Sequence, residues 1–139
     1  MKIPDKQVGP ASFVWWLPVL LFSAFIFYMS SQEKLVNLPR KIPYLDKVAH
    51  YGIYGIWSLL CALPSHRFWP GMSTWKFLIL VGLSGTLYGI SDEIHQSYVP
   101  GRDATTGDII ADSLGAFSGA AAFIWLLRVF NTSRSNSEG

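Results

Sequence analysis

Asp46 and His50 stand four residues apart, as do Asp92 and Gln96, and Asp108 and Asp112. At that spacing two side chains project from one face of a helix, one turn apart. Such a face lets His50 transfer protons while Asp46 or Asp108 orients it. Arg102 follows Pro100 and Gly101 in a turn, where its forked donors suit a phosphate or carboxylate. Asp46, His50, Asp92, Glu93 and Asp108 also offer the hard oxygen and imidazole donors that Mg, Mn or Zn accept. An Asp and a His four apart are more often a hydrogen-bonded pair, however, and Lys47 and Arg102 are at hand as charge partners. The expectation is therefore a cluster that works without a bound metal or cofactor. The chain has no P-loop, no G-x-S-x-G and no H-E-x-x-H, so no nucleophile motif accompanies these groups.

A plainer reading makes Asp46 and Asp108 helix caps, accepting backbone N–H bonds and complementing the dipole. It does not account for His50 and Asp112 one turn further in. Nor does it account for Asp92 and Glu93 near a helix C-terminus, where the dipole disfavours negative charge.

The elements that must position these groups are apolar. Of 139 residues, 50% are hydrophobic and 14% charged, against about 25% charged in a soluble domain. Four charge-poor runs predict an all-α, integral membrane bundle of four transmembrane helices: residues 13–29, 48–66, 77–91 and 113–127. The last two runs have 15 residues each, about 22 Å of helix, and must borrow flanking residues to cross. Lys2 and Lys6 before the first run resemble a signal-peptide flank, but the run is long and aromatic and no clear cleavage site follows, so a retained crossing is expected. Pro18 should affect only its first turn. The Gly85/Gly89 and Gly115/Gly119 pairs are G-x-x-x-G spacings, assigned to packing within the chain rather than to dimerisation. Trp69, Trp75 and Tyr98 are placed as interfacial anchors. Cys61 is a small packing residue, and residues 131–139 form a polar tail expected to be disordered.

Four antiparallel crossings gather the unusual residues at one end. Seven of the nine acids fall there, Glu33, Asp46, Asp92, Glu93, Asp103, Asp108 and Asp112, beside His50, Gln96 and Arg102. Lys and Arg divide six to five, with Lys2, Lys6, Arg67, Lys76, Arg128 and Arg134 at the opposite end. If Lys47 and Arg102 serve the acids, the balance becomes six to three. Both termini are then cytoplasmic and the cluster faces outward. His95 is expected to be peripheral, and His66 to face solvent in the opposite loop. A net charge of +2 with scattered basic residues excludes a nucleic-acid partner.

The segments SSQ at 30–32, DKVAHYGIYG from Asp46 and SDEIHQSYVPGRDATTGDIIADSLGAFSG from Ser91 resemble the VanZ-like family of bacterial membrane proteins. The resemblance runs from the first helix to Gly119, with residues 1–130 as one domain. Asp46 and His50 match the family's D-K-x-x-H, Asp92, Glu93 and Gln96 its D-E-x-x-Q, and Arg102 and Asp108 its P-G-R loop and final helix start. Asp112 stands where many members have Asn. The family is named for a member associated with resistance to the glycopeptide teicoplanin, and its biochemical activity is not established. The resemblance implies a multi-pass protein of the bacterial inner (cytoplasmic) membrane. Family alone does not supply the chemistry.

Two functions follow as expectations. The first is a cell-envelope module in contact with membrane lipid that binds an amphiphilic or anionic ligand through the cluster Asp46, His50, Asp92, Glu93, Gln96, Arg102, Asp108 and Asp112. The second is a membrane-embedded enzyme processing a lipid-linked envelope intermediate. The lack of a nucleophile motif favours the module. Proton or ion translocation would use the same acids, but the chain lacks the repeats usual in transporters.

Overall fold

The computed structural model describes residues 10–33 and 44–137. A 3-10 helix, Pro10–Trp16, leads into α1 (Leu17–Ser30); α2 (Leu45–Phe68), α3 (Thr74–Gln96) and α4 (Thr106–Ser137) follow, with no strand among the described residues. Pro18 lies in the first turn of α1, where its missing N–H has no helical partner to lose. The first apolar run is thus divided between two helix types, the break coming where the proline admits α-geometry.

Three stretches are long and apolar enough to cross a membrane: Phe13–Ser30, Thr74–Gln96 and Thr106–Ser133. The third and fourth helices borrow flanks as their short charge-free runs require. Lys76, Asp92 and Glu93 lie within α3, and Asp108, Asp112 and Arg128 within α4. The second predicted crossing differs. α2 has the length, 24 residues, but Tyr, Trp, Gly, Ser and His dilute its apolar stretch, and it does not join the other three on hydropathy. α4 continues as helix through Ser137, into the segment expected to lack order. α2 also outlasts its expected end. His66 lies in its last turn, half-buried with its ring edge-on to Phe77 and Phe123, rather than in a solvent-facing loop.

α2 and α4 run parallel, and α3 runs antiparallel to both. Their backbones nearly touch. A Cβ on Gly115 would strike the Tyr51 carbonyl, and one on Gly119 the Gly55 carbonyl. On α3, Gly85 receives Ala116 and Gly89 receives Asp112. Both G-x-x-x-G spacings therefore serve packing within the chain, where dispersion between close backbones holds helices together in lipid. Below them, Trp57, Cys61, Phe77, Val81, Ala120 and Phe123 form the core. α1 lies against this unit through Ser23, whose hydroxyl accepts from Trp57 Nε1 and whose carbonyl accepts from the Tyr88 hydroxyl, each at 2.8 Å. Outward faces expose Leu20, Leu21, Leu87, Leu114 and Trp125. Apolar exposure on every side suits a lipid solvent better than water. Trp69, Trp75 and Tyr98 are exposed near helix ends, where interfacial anchors belong.

Gly115→Val should force α2 off α4 and destabilise the bundle by about 3 kcal/mol or more. Gly52→Ala, which meets open space, should be neutral or slightly stabilising. Thermal unfolding of the two variants in one detergent measures the contrast.

Candidate functional site

The helix ends meet where the α1 C-terminus, α2 N-terminus, α3 C-terminus and α4 N-terminus converge. Thr105 precedes α4 as its cap. Its hydroxyl accepts from the Asp108 backbone N–H at 3.3 Å and donates to Asp108 Oδ2 at 2.6 Å, while its own N–H donates to Glu93 Oε2 at 3.0 Å. This is a capping box whose outer bond has been handed to a neighbouring helix. Lys47, in the first turn of α2, reaches the same group, donating to Asp108 Oδ1 at 2.7 Å, Thr105 Oγ1 at 3.2 Å and Asp46 Oδ2 at 3.0 Å. The lysine and Thr105 together pin the starts of α2 and α4 to the end of α3.

One turn deeper, His50 Nδ1 lies 2.9 Å from Asp112 Oδ1 and 3.8 Å from Glu93 Oε1. The carboxylates are buried, with side-chain exposures of 0% for Asp112 and 4% for Glu93. Gly89 makes this depth accessible: a Cβ there would lie 2.7 Å from Asp112 Oδ2. Asp112 Oδ2 and Glu93 Oε1 are both buried without a hydrogen-bond partner, an expensive state for carboxylate oxygens in a low-dielectric interior.

A third set faces α1. Gln96 Nε2 donates to Asp92 Oδ2 at 2.7 Å and to Ser30 Oγ at 3.4 Å, and Arg102 Nη2 donates to Gln96 Oε1 at 2.8 Å. Arg102 is carried there by a tight turn in which its N–H bonds the Val99 carbonyl, with Gly101 at φ 80°. That pattern, Pro then a positive-φ glycine, is a type II turn.

The structure thus brings all eight predicted residues to one end but changes their pairing. Asp46 does not orient His50. Its side chain is 60% exposed and bound to Lys47. Asp108 is likewise engaged by Lys47 and Thr105, and the carboxylates at His50 are those of Asp112 and Glu93. Lys47 holds the Asp46 carboxyl below the usual aspartate range, chiefly through their hydrogen bond. Burial pulls Lys47 downward, but the hydrogen bonds to Asp108 and Asp46 outweigh it and hold the ammonium above the ordinary lysine range. The stability it contributes is therefore complete at neutral pH and lost only as pH rises through that elevated value. His95 stands apart, stacked on Phe27 with ring centroids 4.4 Å apart.

Thr105 is the residue that sequence reading missed. Its signal was present as T-x-x-D ahead of the apolar run of α4.

A family model, VanZ/LLP1, matches residues 9–128. The chain belongs to the VanZ/LLP1 family. The matched region takes in every residue of the cluster. Neither a curated protein nor a solved structure matches the chain. The VanZ/LLP1 membership and the apolar helices together make this a membrane protein whose polar groups are concentrated at one end.

Lys47→Gln should leave the buried Asp108 without its cation. The loss should be about 1–3 kcal/mol, below the roughly 3–5 expected for a fully buried pair because Lys47 is partly solvated. Adding Asp108→Asn should recover part of it. A double-mutant cycle on thermal unfolding gives the coupling, and a coupling near zero would contradict the pinning role.

Proposed function

We propose that this chain is a four-crossing protein of the bacterial inner membrane that holds the headgroup of an anionic, amphiphilic envelope ligand at its polar end. α2 supports the fourth crossing. Its 24 residues extend about 36 Å, its charged residues lie only at its two ends, and it packs along α4 for much of its length. The observation that carries the ligand reading is the placement of Arg102. It lies at the rim of a buried polar network, half-exposed, with one nitrogen anchored to Gln96. The rest of its fork is available to a phosphate or carboxylate arriving from the membrane surface. Lys47 offsets one of the two charges on Asp46 and Asp108, which lessens the repulsion such an anion would meet.

A second reading, an enzyme acting on a lipid-linked envelope intermediate, draws on His50 and Asp112. A buried carboxylate 2.9 Å from one imidazole nitrogen fixes the ring as it would for a general base.

His50→Gln and Arg102→Gln should leave membrane abundance and topology nearly unchanged, since neither residue supplies apolar length. Both should fail in an envelope-stress or glycopeptide-sensitivity assay that the parent gene complements. Full complementation by both at native expression would return the cluster to capping and packing.

Orientation follows the basic residues. Arg67, Lys76 and Arg128 belong to the end opposite the cluster, while Lys47 and Arg102 are engaged within it. Lys2, Lys6, Lys34, Arg40 and Lys41, which also enter the count of basic residues, lie outside the described residues, as does most of the loop between α1 and α2. By the positive-inside rule both termini are cytoplasmic and the cluster faces outward. A cysteine at the exposed Ala104, in a Cys61→Ser background, should react with an impermeant maleimide on intact cells. One at the exposed Gly71 should react only after permeabilisation. The reverse pattern would invert the protein.

A further inference from the structure

We infer that His50, Glu93 and Asp112 form a binding site for one divalent transition-metal ion of the zinc or manganese kind. One donor comes from each of α2, α3 and α4, and a ligand atom of each lies within 4.8 Å of the other two. A cation about 2.1 Å from each ligand holds cis ligand atoms roughly 3.0–3.4 Å apart. The His50 Nδ1 distances of 2.9 and 3.8 Å to the two carboxylates bracket that separation.

The independent observation is the orphaned oxygens. Glu93 Oε1 and Asp112 Oδ2 are buried on side chains no more than 4% exposed, and neither has a hydrogen-bond partner. Glu93 Oε2 is meanwhile fixed by the Thr105 N–H, which leaves Oε1 turned toward His50. Buried carboxylate oxygens are normally satisfied by donors or by a cation. The nearby cations are already committed: Lys47 to Asp46 and Asp108, and Arg102 to Gln96. The ground for expecting a metal-free cluster, that these two residues would neutralise it, is therefore absent at its deepest point. Two carboxylates balance a divalent charge, and an imidazole with two carboxylates is a donor set that zinc and manganese accept. His50 would bind through Nδ1 with its proton on Nε2. The inference does not rest on the headgroup reading, since the three ligands lie deeper than Arg102 and need no lipid.

Protein purified in detergent and washed with chelator should bind zinc or manganese saturably, one ion per chain, with a higher unfolding temperature when loaded. Glu93→Gln and Asp112→Asn should each weaken binding by about 100-fold or more, beyond the effect expected of an outer-shell partner, while Asp46→Asn should bind as the parent does. Where a site variant does not fold, the parent chain labelled with ¹⁵N-histidine and loaded with manganese decides. Pulsed EPR should show coupling to one imidazole nitrogen, retained in His66→Gln and His95→Gln. No saturable binding by the parent, no imidazole coupling, or parent-like affinity in folded Glu93→Gln and Asp112→Asn overturns the site. Because the titration uses no lipid, its failure leaves the headgroup proposal to its own complementation test.

Discussion

Where Gly115 and Gly119 of α4 press against the backbone of Tyr51 and Gly55 on α2, no side chain separates the helices. That contact fixes both distance and register, and the parallel direction of the pair carries the register unchanged to its polar end. Within the next two turns toward the cluster, it sets first His50 beside Asp112 and then Lys47 beside Asp108. A slip of one residue would rotate both partners off the interface and strand two buried carboxylates. Dispersion between small residues and the need to pair charge therefore select the same alignment. α3 reinforces it through Gly89, which gives Asp112 its space.

Charge at this end is graded by depth. Lys47 and Asp46 at the surface are partly solvated and make ion pairs of modest worth. Asp108 and Glu93 are buried but each is tied to Thr105, so the α4 cap and the α3 terminus share one polar joint. Most buried is Asp112, beside His50, and here Asp112 Oδ2 and Glu93 Oε1 remain without donors. Natural interiors rarely retain such groups without a use. The apolar bundle is the scaffold that holds this gradient at one end of a membrane protein.

Much of this was legible in the sequence, though unevenly. The helical class, the gathering of acids at one end and the role of the glycine pairs follow from periodicity, topology and spacing. Pairing within the site does not. The four-residue spacing places Asp46 and His50 on one face of α2, but the partner of His50 is decided by how α4 docks, a long-range fact that local periodicity does not encode. Thr105 was hidden for a related reason: its capping signal is local, while its second bond, to Glu93, crosses to another helix. α2 falls short of the other helices on hydropathy because it carries Gly, Tyr and Ser, among them Gly55 and Ser58, which give α4 its close approach at Gly115 and Gly119. Composition marks the C-terminal segment as polar, and the α4 helix runs on into it as far as Ser137, as an extension of a helix already nucleated upstream.

Docking of α4, rather than spacing along α2, determines the surroundings of His50. The most direct measurement is the ¹⁵N spectrum of histidine-labelled protein in lipid nanodiscs, with the His50 resonances assigned by their loss in His50→Gln. Asp112→Asn should shift the His50 Nδ1 resonance strongly and Asp46→Asn should leave it nearly in place. A resonance that follows Asp46→Asn and ignores Asp112→Asn would contradict the dependence on α4.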